Sequence, residues 1–267
     1  MLLTRIITAV VMVLVLAAVL FGLPTSLALV AFGLLILAGA WEWAAFAGLL
    51  RRPARAGYVA ACLVVMTGLW GLAATPDGFR TVMLGTLAWW ACAFLWLTLM
   101  PRRGHRWLAG AAGILALAPM WVALAHLFDA GMIGRELVIF SLLLAWAADV
   151  GAYFVGRRFG RSRLAPWVSP NKTWEGALGG LLTGLLVAGL ASWWFRIPPG
   201  AFLPLCTAVI LVSIVGDLTE SMFKRQVGIK DSGRLLPGHG GVLDRIDSLT
   251  AAVPVLALGL QWLGILQ

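Results

Sequence analysis

From Ile6 to Trp41 the sequence contains no charged side chain. As one helix this run would be about 50 Å long at 1.5 Å per residue, longer than the roughly 30 Å hydrocarbon core of a bilayer. Gly22, Leu23 and Pro24 divide it into two helices. A chain that begins this way is built for lipid, and its composition agrees: 61% of its residues are apolar and 12% are charged, against about 25% charged in soluble domains. Fourteen Trp and twelve Phe beside two Tyr fit a lipid-facing surface. Further charge-poor runs at 57–75, 81–100, 107–128, 137–155, 174–195, 200–222 and 248–266 bring the expectation to nine transmembrane helices in an all-α polytopic membrane protein. No small-x-small cleavage site follows the MLLTR start, so the first helix is read as retained.

Basic residues orient the map, because Lys and Arg accumulate in cytoplasmic loops. One side collects Arg5, Arg51, Arg52, Arg55, Arg102, Arg103, Arg106, Arg157, Arg158, Arg161, Arg163, Lys172, Lys224, Arg225, Lys230, Arg234 and Arg245. The other holds only Arg80, Arg135 and Arg196. The N-terminus is therefore expected in the cytoplasm, and the net charge of +9 reads as an orientation signal and an attraction to anionic lipid rather than a nucleic-acid footprint. Cys62, Cys92 and Cys206 lie in separate apolar runs without nearby histidine, which suggests neither a disulfide framework nor a zinc site.

Of eleven acidic residues, seven fall between Asp149 and Asp247, namely Asp149, Glu175, Asp217, Glu220, Asp231, Asp244 and Asp247. All three lysines, Lys172, Lys224 and Lys230, fall there too, in a chain that otherwise uses arginine. That preference asks for a compact ammonium rather than a planar fork. In GDLTESMFK, Asp217, Glu220, Ser221 and Lys224 share one helix face at i, i+3, i+4 and i+7. Asp244, Asp247 and Ser248 repeat the i, i+3, i+4 spacing where the last helix begins. Carboxylates gathered at two helix ends repel one another unless a cation separates them, and an oxygen-only donor set favours Mg²⁺ over Zn²⁺. Plain helix capping by Asp244 and Asp247, with Asp217 paired to Lys224 or Arg225, is the simpler alternative. It weakens once Asp149 is placed inside the end of an apolar span, where an ionisable group costs a few kcal/mol.

Two polar loops flank these helices. PGHGG, residues 237–241, lets backbone amides approach a phosphate. SPNKTWEG, from Ser169 to Gly176, offers Lys172 as a point charge for phosphate and Thr173 as a helix cap. No Walker A or GxGxxG spacing occurs. Arg157, Arg158, Arg161 and Arg163 are read as orientation and headgroup residues, and His105 and His126 as bystanders. For His239, phosphate contact and a solvated turn both stand open.

The series Ser221-Met222-Phe223-Lys224-Arg225, Lys230-Asp231, LPGHGG at 236–241 and DRID at 244–247 resembles the signature of the phosphatidate cytidylyltransferase, or CDP-diacylglycerol synthase, family. SPNKTWEG, GDLTES and DVGAYFVGRRFG, at 149–160, strengthen the likeness, while the first 140 residues share only a general apolar character. The resemblance implies condensation of CTP with phosphatidic acid to CDP-diacylglycerol and pyrophosphate, a step of phospholipid biosynthesis, with a divalent metal. On that basis Asp217, Asp244, Lys230 and Asp231 are the expected catalytic residues. Lys172, Lys224, Ser169, Asn171, Arg225, His239, Gly240 and Gly241 are expected to bind substrate. One or two Mg²⁺ are expected on Asp217 and Asp244, with Asp149, Glu220 and Asp247 as auxiliary carboxylates.

The expected organisation is one integral membrane unit, with a helical scaffold over 1–136 and the site on helices over 137–267. It would face the cytoplasm from a bacterial inner membrane, with CTP, phosphatidate and membrane lipids as partners and no nucleic acid. Small residues in several spans permit a homodimer. A transporter would also place Asp within spans, but predicts midplane charges and related halves. A CTP-dependent lipid kinase would use similar chemistry and release CDP.

Overall fold

The computed structural model describes residues 2–102 and 104–266, without the side chains of Leu2, Leu3 and Arg5. Arg103 and the Arg5 side chain, both counted on the basic side above, lie outside the described residues. Nine long α-helices run through the described residues: α1 Leu2–Ala17, α2 Thr25–Trp43, α3 Arg52–Leu72, α4 Pro76–Leu99, α5 Arg106–Phe128, α6 Gly134–Phe159, α7 Trp174–Phe195, α8 Pro199–Gln226 and α9 Leu243–Trp262. Each coincides with an expected charge-poor run. The break at Gly22-Leu23-Pro24 is present as a π-helical turn over Ala18–Gly22 followed by extended backbone, with Pro24 at ψ 154° ahead of α2.

Helix starts differ from the sequence expectation by up to five residues, and the reason is local. Helices α3 and α4 place proline in their first turn, and α4 and α9 place Asp77 and Asp244 there. Proline lacks only an N–H that a first turn leaves unbonded. Carboxylates are favoured there by the helix dipole. Reading a span as charge-free therefore cuts off its first turn.

Seven helices, α2 to α8, are long and apolar enough to cross a membrane. Helix α1 is shorter, and α9 begins with Asp244, Arg245 and Asp247. Yet α9 is the centre of the bundle: Leu249 to Leu260 is continuously buried, and the helix packs on α8, α5, α4 and α6. Helix α5 supplies the opposing wall, with Leu117, Val122, Ala123 and Leu127 fully enclosed. In lipid, tails are as apolar as leucine, so close backbone approach rather than water exclusion holds helices together.

That approach is tightest between α6 and α7. A Cβ on Gly180 would lie 2.6 Å from the Ala148 carbonyl oxygen, and one on Gly176 2.9 Å from that of Ala152. The helices meet main chain to main chain.

A short antiparallel hairpin corrects the purely helical expectation. Strands β1 Arg163–Ala165 and β2 Ser169–Thr173 pair Arg163 with Thr173 and Ala165 with Ser169. The polar loop SPNKT is thus β2, and Thr173 ends it by capping α7, its Oγ1 accepting from Gly176 N at 3.1 Å. Glu175 ties the start of β1 to the same end, its carboxylate accepting from the amides of Arg161 at 3.1 Å and Ser162 at 3.2 Å.

Candidate active site

The C-terminal ends of α6 and α8 and the N-terminal ends of α7 and α9 carry the polar residues, as successive antiparallel helices require. A cavity of about 560 Å³ opens between α6, α7, α8 and β2. Asp149, Asn171, Lys172, Asp217, Tyr153 and Arg157 form its polar wall; Ile210, Ile214, Ala148 and Leu164 form its apolar one. Lys172 pairs with Asp217 Oδ2, and Ser221 Oγ donates to Asp217 Oδ1 at 3.4 Å. Both charged partners keep part of their surface open, 29% for the Lys172 side chain and 21% for that of Asp217. Arg157 donates to Tyr153 Oη at 2.8 Å on the same wall.

Two turns further along α8 the chemistry closes up. Lys224 is buried, with Nζ 2.7 Å from Asp244 Oδ1 and 3.2 Å from Glu220 Oε2. Phe223 beside it is wedged between Trp43 and Trp96, with ring centroids 5.6 and 5.4 Å away. Such aromatic contacts contribute about 0.5–1.5 kcal/mol each beyond area burial. Lys224, expected to bind substrate, stands here as the cation between two carboxylates. Two enclosed carboxylates and no counter-charge would be far costlier.

Asp244 is also fully engaged. It accepts from Lys224 Nζ, from Gly241 N at 2.8 Å and from Ser232 N at 3.0 Å. These bonds fold the signature loop back on α9, and the loop closes further where Leu236 N donates to Gly240 O at 3.0 Å. Gly240 has φ +85°, and a Cβ there would lie 2.7 Å from Asp244 Oδ2 and 3.7 Å from Asp231 Cβ. Only glycine combines that backbone with that approach.

The remaining expected residues fall as follows. Lys230 and Asp231 are exposed on the loop. Asp247 stands beside Glu220, and Asp149 reaches Ser248, which links the cavity to α9. Arg225 donates to the carbonyl oxygens of Val168 and Ile229 at 3.3 and 3.4 Å, tying the hairpin to the end of α8. The His239 carbonyl oxygen accepts from Arg245 at 2.8 Å, while its buried Nδ1 has no hydrogen-bond partner among the described residues. Ser169 lies half-buried on β2. His126 is structural, its ring nitrogens against the Val122 and Ala73 carbonyls and its ring stacked on Phe79 at 4.2 Å.

Among the described residues, no three His, Cys, Asp or Glu side chains converge as a metal cage. Magnesium needs no such cage, because it keeps water and takes one or two carboxylates together with substrate phosphates. The donors present are all oxygen. Among the described residues, both Glu220 carboxylate oxygens are buried without a hydrogen-bond partner, although Lys224 lies within ion-pair range of one of them. This donor chemistry fits Mg²⁺.

Three residues lie outside the expected set of catalytic, substrate-binding and metal-binding residues. Arg157 and Tyr153 share the cavity wall at i and i+4 of α6, a spacing visible in DVGAYFVGRRFG. Glu42, at the end of α2, is 3% exposed and accepts from Ser232 and from the amides of Val242 and Leu243.

The described residues thus form a helical bundle with an open cavity of mixed lining and a lysine–carboxylate cluster at one end. The model of the cytidylyltransferase family matches residues 3–263, and the chain belongs to that family. The phosphatidate cytidylyltransferase of Pseudomonas aeruginosa is 45% identical over 269 residues, covering 98% of this chain and 97% of that protein. That of Haemophilus influenzae is 36% identical over 285 residues, covering 95% and 96%. The Brucella suis enzyme of the same name is 44% identical over 172 residues, 62% of this chain.

Proposed function

We propose that the chain transfers the CMP moiety of CTP to phosphatidic acid, giving CDP-diacylglycerol and pyrophosphate. The single supporting observation is the end-to-end likeness to phosphatidate cytidylyltransferases in a chain whose Asp149, Lys172 and Asp217 line one cavity.

A phosphatidate oxygen attacks the α-phosphorus of CTP. A new P–O bond forms, the bond to the β-phosphate bridge breaks, and its electron pair leaves with pyrophosphate. No general base is required, since a phosphate monoester with a second pKa of about 6 is largely ionised at neutral pH. The obstacle is bringing two polyanions together, so catalysis reduces to positioning and charge. Lys172 and Arg157 face the cavity and are suited to the lipid phosphate, with Asn171 beside them. Lys230 and the glycine amides of the loop are suited to the CTP phosphates. Asp217, with Asp149, Glu220 and Asp247 near it, would hold Mg²⁺, which would supply positive charge against the phosphates, while Asp244, its oxygens taken up by Lys224, Ser232 and Gly241, would hold the loop beside that site.

The cavity's mixed walls suit a substrate whose headgroup is ionic and whose chains stay in the bilayer. The same reading puts this end of the bundle at the cytoplasmic face of a bacterial inner membrane, with α1 and α9 completing nine crossings. It also keeps residues 137–267 as the catalytic half, with the scaffold over 1–136 lending Glu42.

Detergent-solubilised protein supplied with phosphatidate, CTP and Mg²⁺ tests the proposal. Pyrophosphate and a CMP-bearing lipid are expected in equal amounts. Release of CDP with a further phosphorylated lipid would overturn it in favour of a kinase.

A further inference from the structure

Glu42 closes a span with no other charge, and its carboxylate is directed inward to the signature loop. Oε2 accepts from Ser232 Oγ at 3.0 Å and from Leu243 N at 2.9 Å, and Oε1 accepts from Val242 N at 3.2 Å. Helix α9 has no side-chain cap of its own. Its free first-turn amides are satisfied by a carboxylate 200 residues away in sequence, and a negative charge is favoured at that helix end.

The same segment is gripped a second time. Asp244 accepts from the backbone N–H of Ser232 and of Gly241, so Ser232 is held by its hydroxyl on Glu42 and by its amide on Asp244. A Cβ on Gly233 or Gly241 would run into the Glu42 carboxylate, so both glycines are there to let it in. Two carboxylates from opposite ends of the chain therefore clamp the two ends of the 232–241 loop. Between those ends lie Gly240 and His239, and Asp231 immediately precedes them. Asp244 accepts from the amides of Ser232 and Gly241, while Glu42 holds the Ser232 hydroxyl and the next amide after Gly241, that of Val242.

We infer that Glu42 is a positioning residue of the transfer reaction, setting Asp244 and the phosphate-facing loop through the α9 N-terminus; this rests on the reaction proposed above. It touches no substrate. Glutamine at this place keeps one acceptor and turns an N–H₂ group toward a backbone N–H, so E42Q breaks part of the clamp at constant size.

The test compares full-length wild type, E42Q, E42A, S232A and E42A/S232A in detergent, with kcat, KM for CTP and melting temperature measured on each. For E42Q and E42A, kcat is expected to fall about tenfold to 100-fold, the range set by displacements near 1 Å. KM should stay within about threefold. S232A, which loses one hydrogen bond, should fall less, and the double variant no further than E42A, because the two act as one unit. Wild-type kcat in folded E42Q, or strictly additive losses in the double variant, would overturn the inference. A lower melting temperature with unchanged kcat would do so as well, by reducing Glu42 to a structural role. Should E42A fail to fold, E42Q and S232A decide. A wild type that makes no nucleotide-bearing lipid sinks the reaction itself, whereas an active wild type matched by its Glu42 variants sinks this inference alone.

Discussion

The polar end of the molecule has two regions built from the same residue types and finished differently. Around Asp217, one lysine meets one carboxylate on the wall of an open cavity, and both keep surface toward it. Around Asp244, a buried lysine stands between two carboxylates and three main-chain or side-chain donors fill one of them. A partly open ion pair can exchange its partner for an incoming phosphate. A saturated one holds shape. The contrast teaches that acidic residues at matching helix spacings can serve different ends. The first cluster is suited to meet substrate, the second to fix the loop that meets it.

Several substitutions would sharpen or break this division. Asp244→Asn should have the largest effect, abolishing turnover and lowering stability, since removing one partner from a buried pair costs about 3–5 kcal/mol. A melting temperature equal to wild type would contradict the saturated state of that cluster. Asp217→Asn should cost at least about 100-fold in kcat with an almost unchanged melting temperature. If it unfolded the protein instead, the two regions would not differ as described. Arg157→Ala should raise KM for phosphatidate several-fold, about 1 kcal/mol of lost charge-assisted contact, with KM for CTP unmoved. Arg80→Ala, exposed near the start of α4 at the opposite end, should leave both substrates' kinetics at wild-type values.

The helices were legible because a charge-poor run in lipid has few alternatives, and the gathering of Asp217, Glu220, Ser221 and Lys224 followed from α-helical spacing alone. The hairpin was not legible: strands of three and five residues, one containing Pro170, give no alternation to read. Nor was the division of roles among the carboxylates, because it depends on which helix faces which. Lys224 shares its helix face with Asp217 yet pairs with Asp244 across to α9. Glu42 is the instructive omission. Its partners lie 190 to 201 residues away, beyond any local pattern. The available signal was its isolation, a lone carboxylate ending a long uncharged run, and such a residue is by default a functional candidate.

The seam between α6 and α7 has a consequence for the cavity beside it. Gly156, Gly176 and Gly180 line that chamber, and at each the wall is bare main chain. Its bore is thus a spacing between two rods, not a choice of side chain. Nothing on those positions can be trimmed to admit a bulkier guest, and any addition wedges the rods apart, so this gauge yields only to a shift of one whole helix against the other.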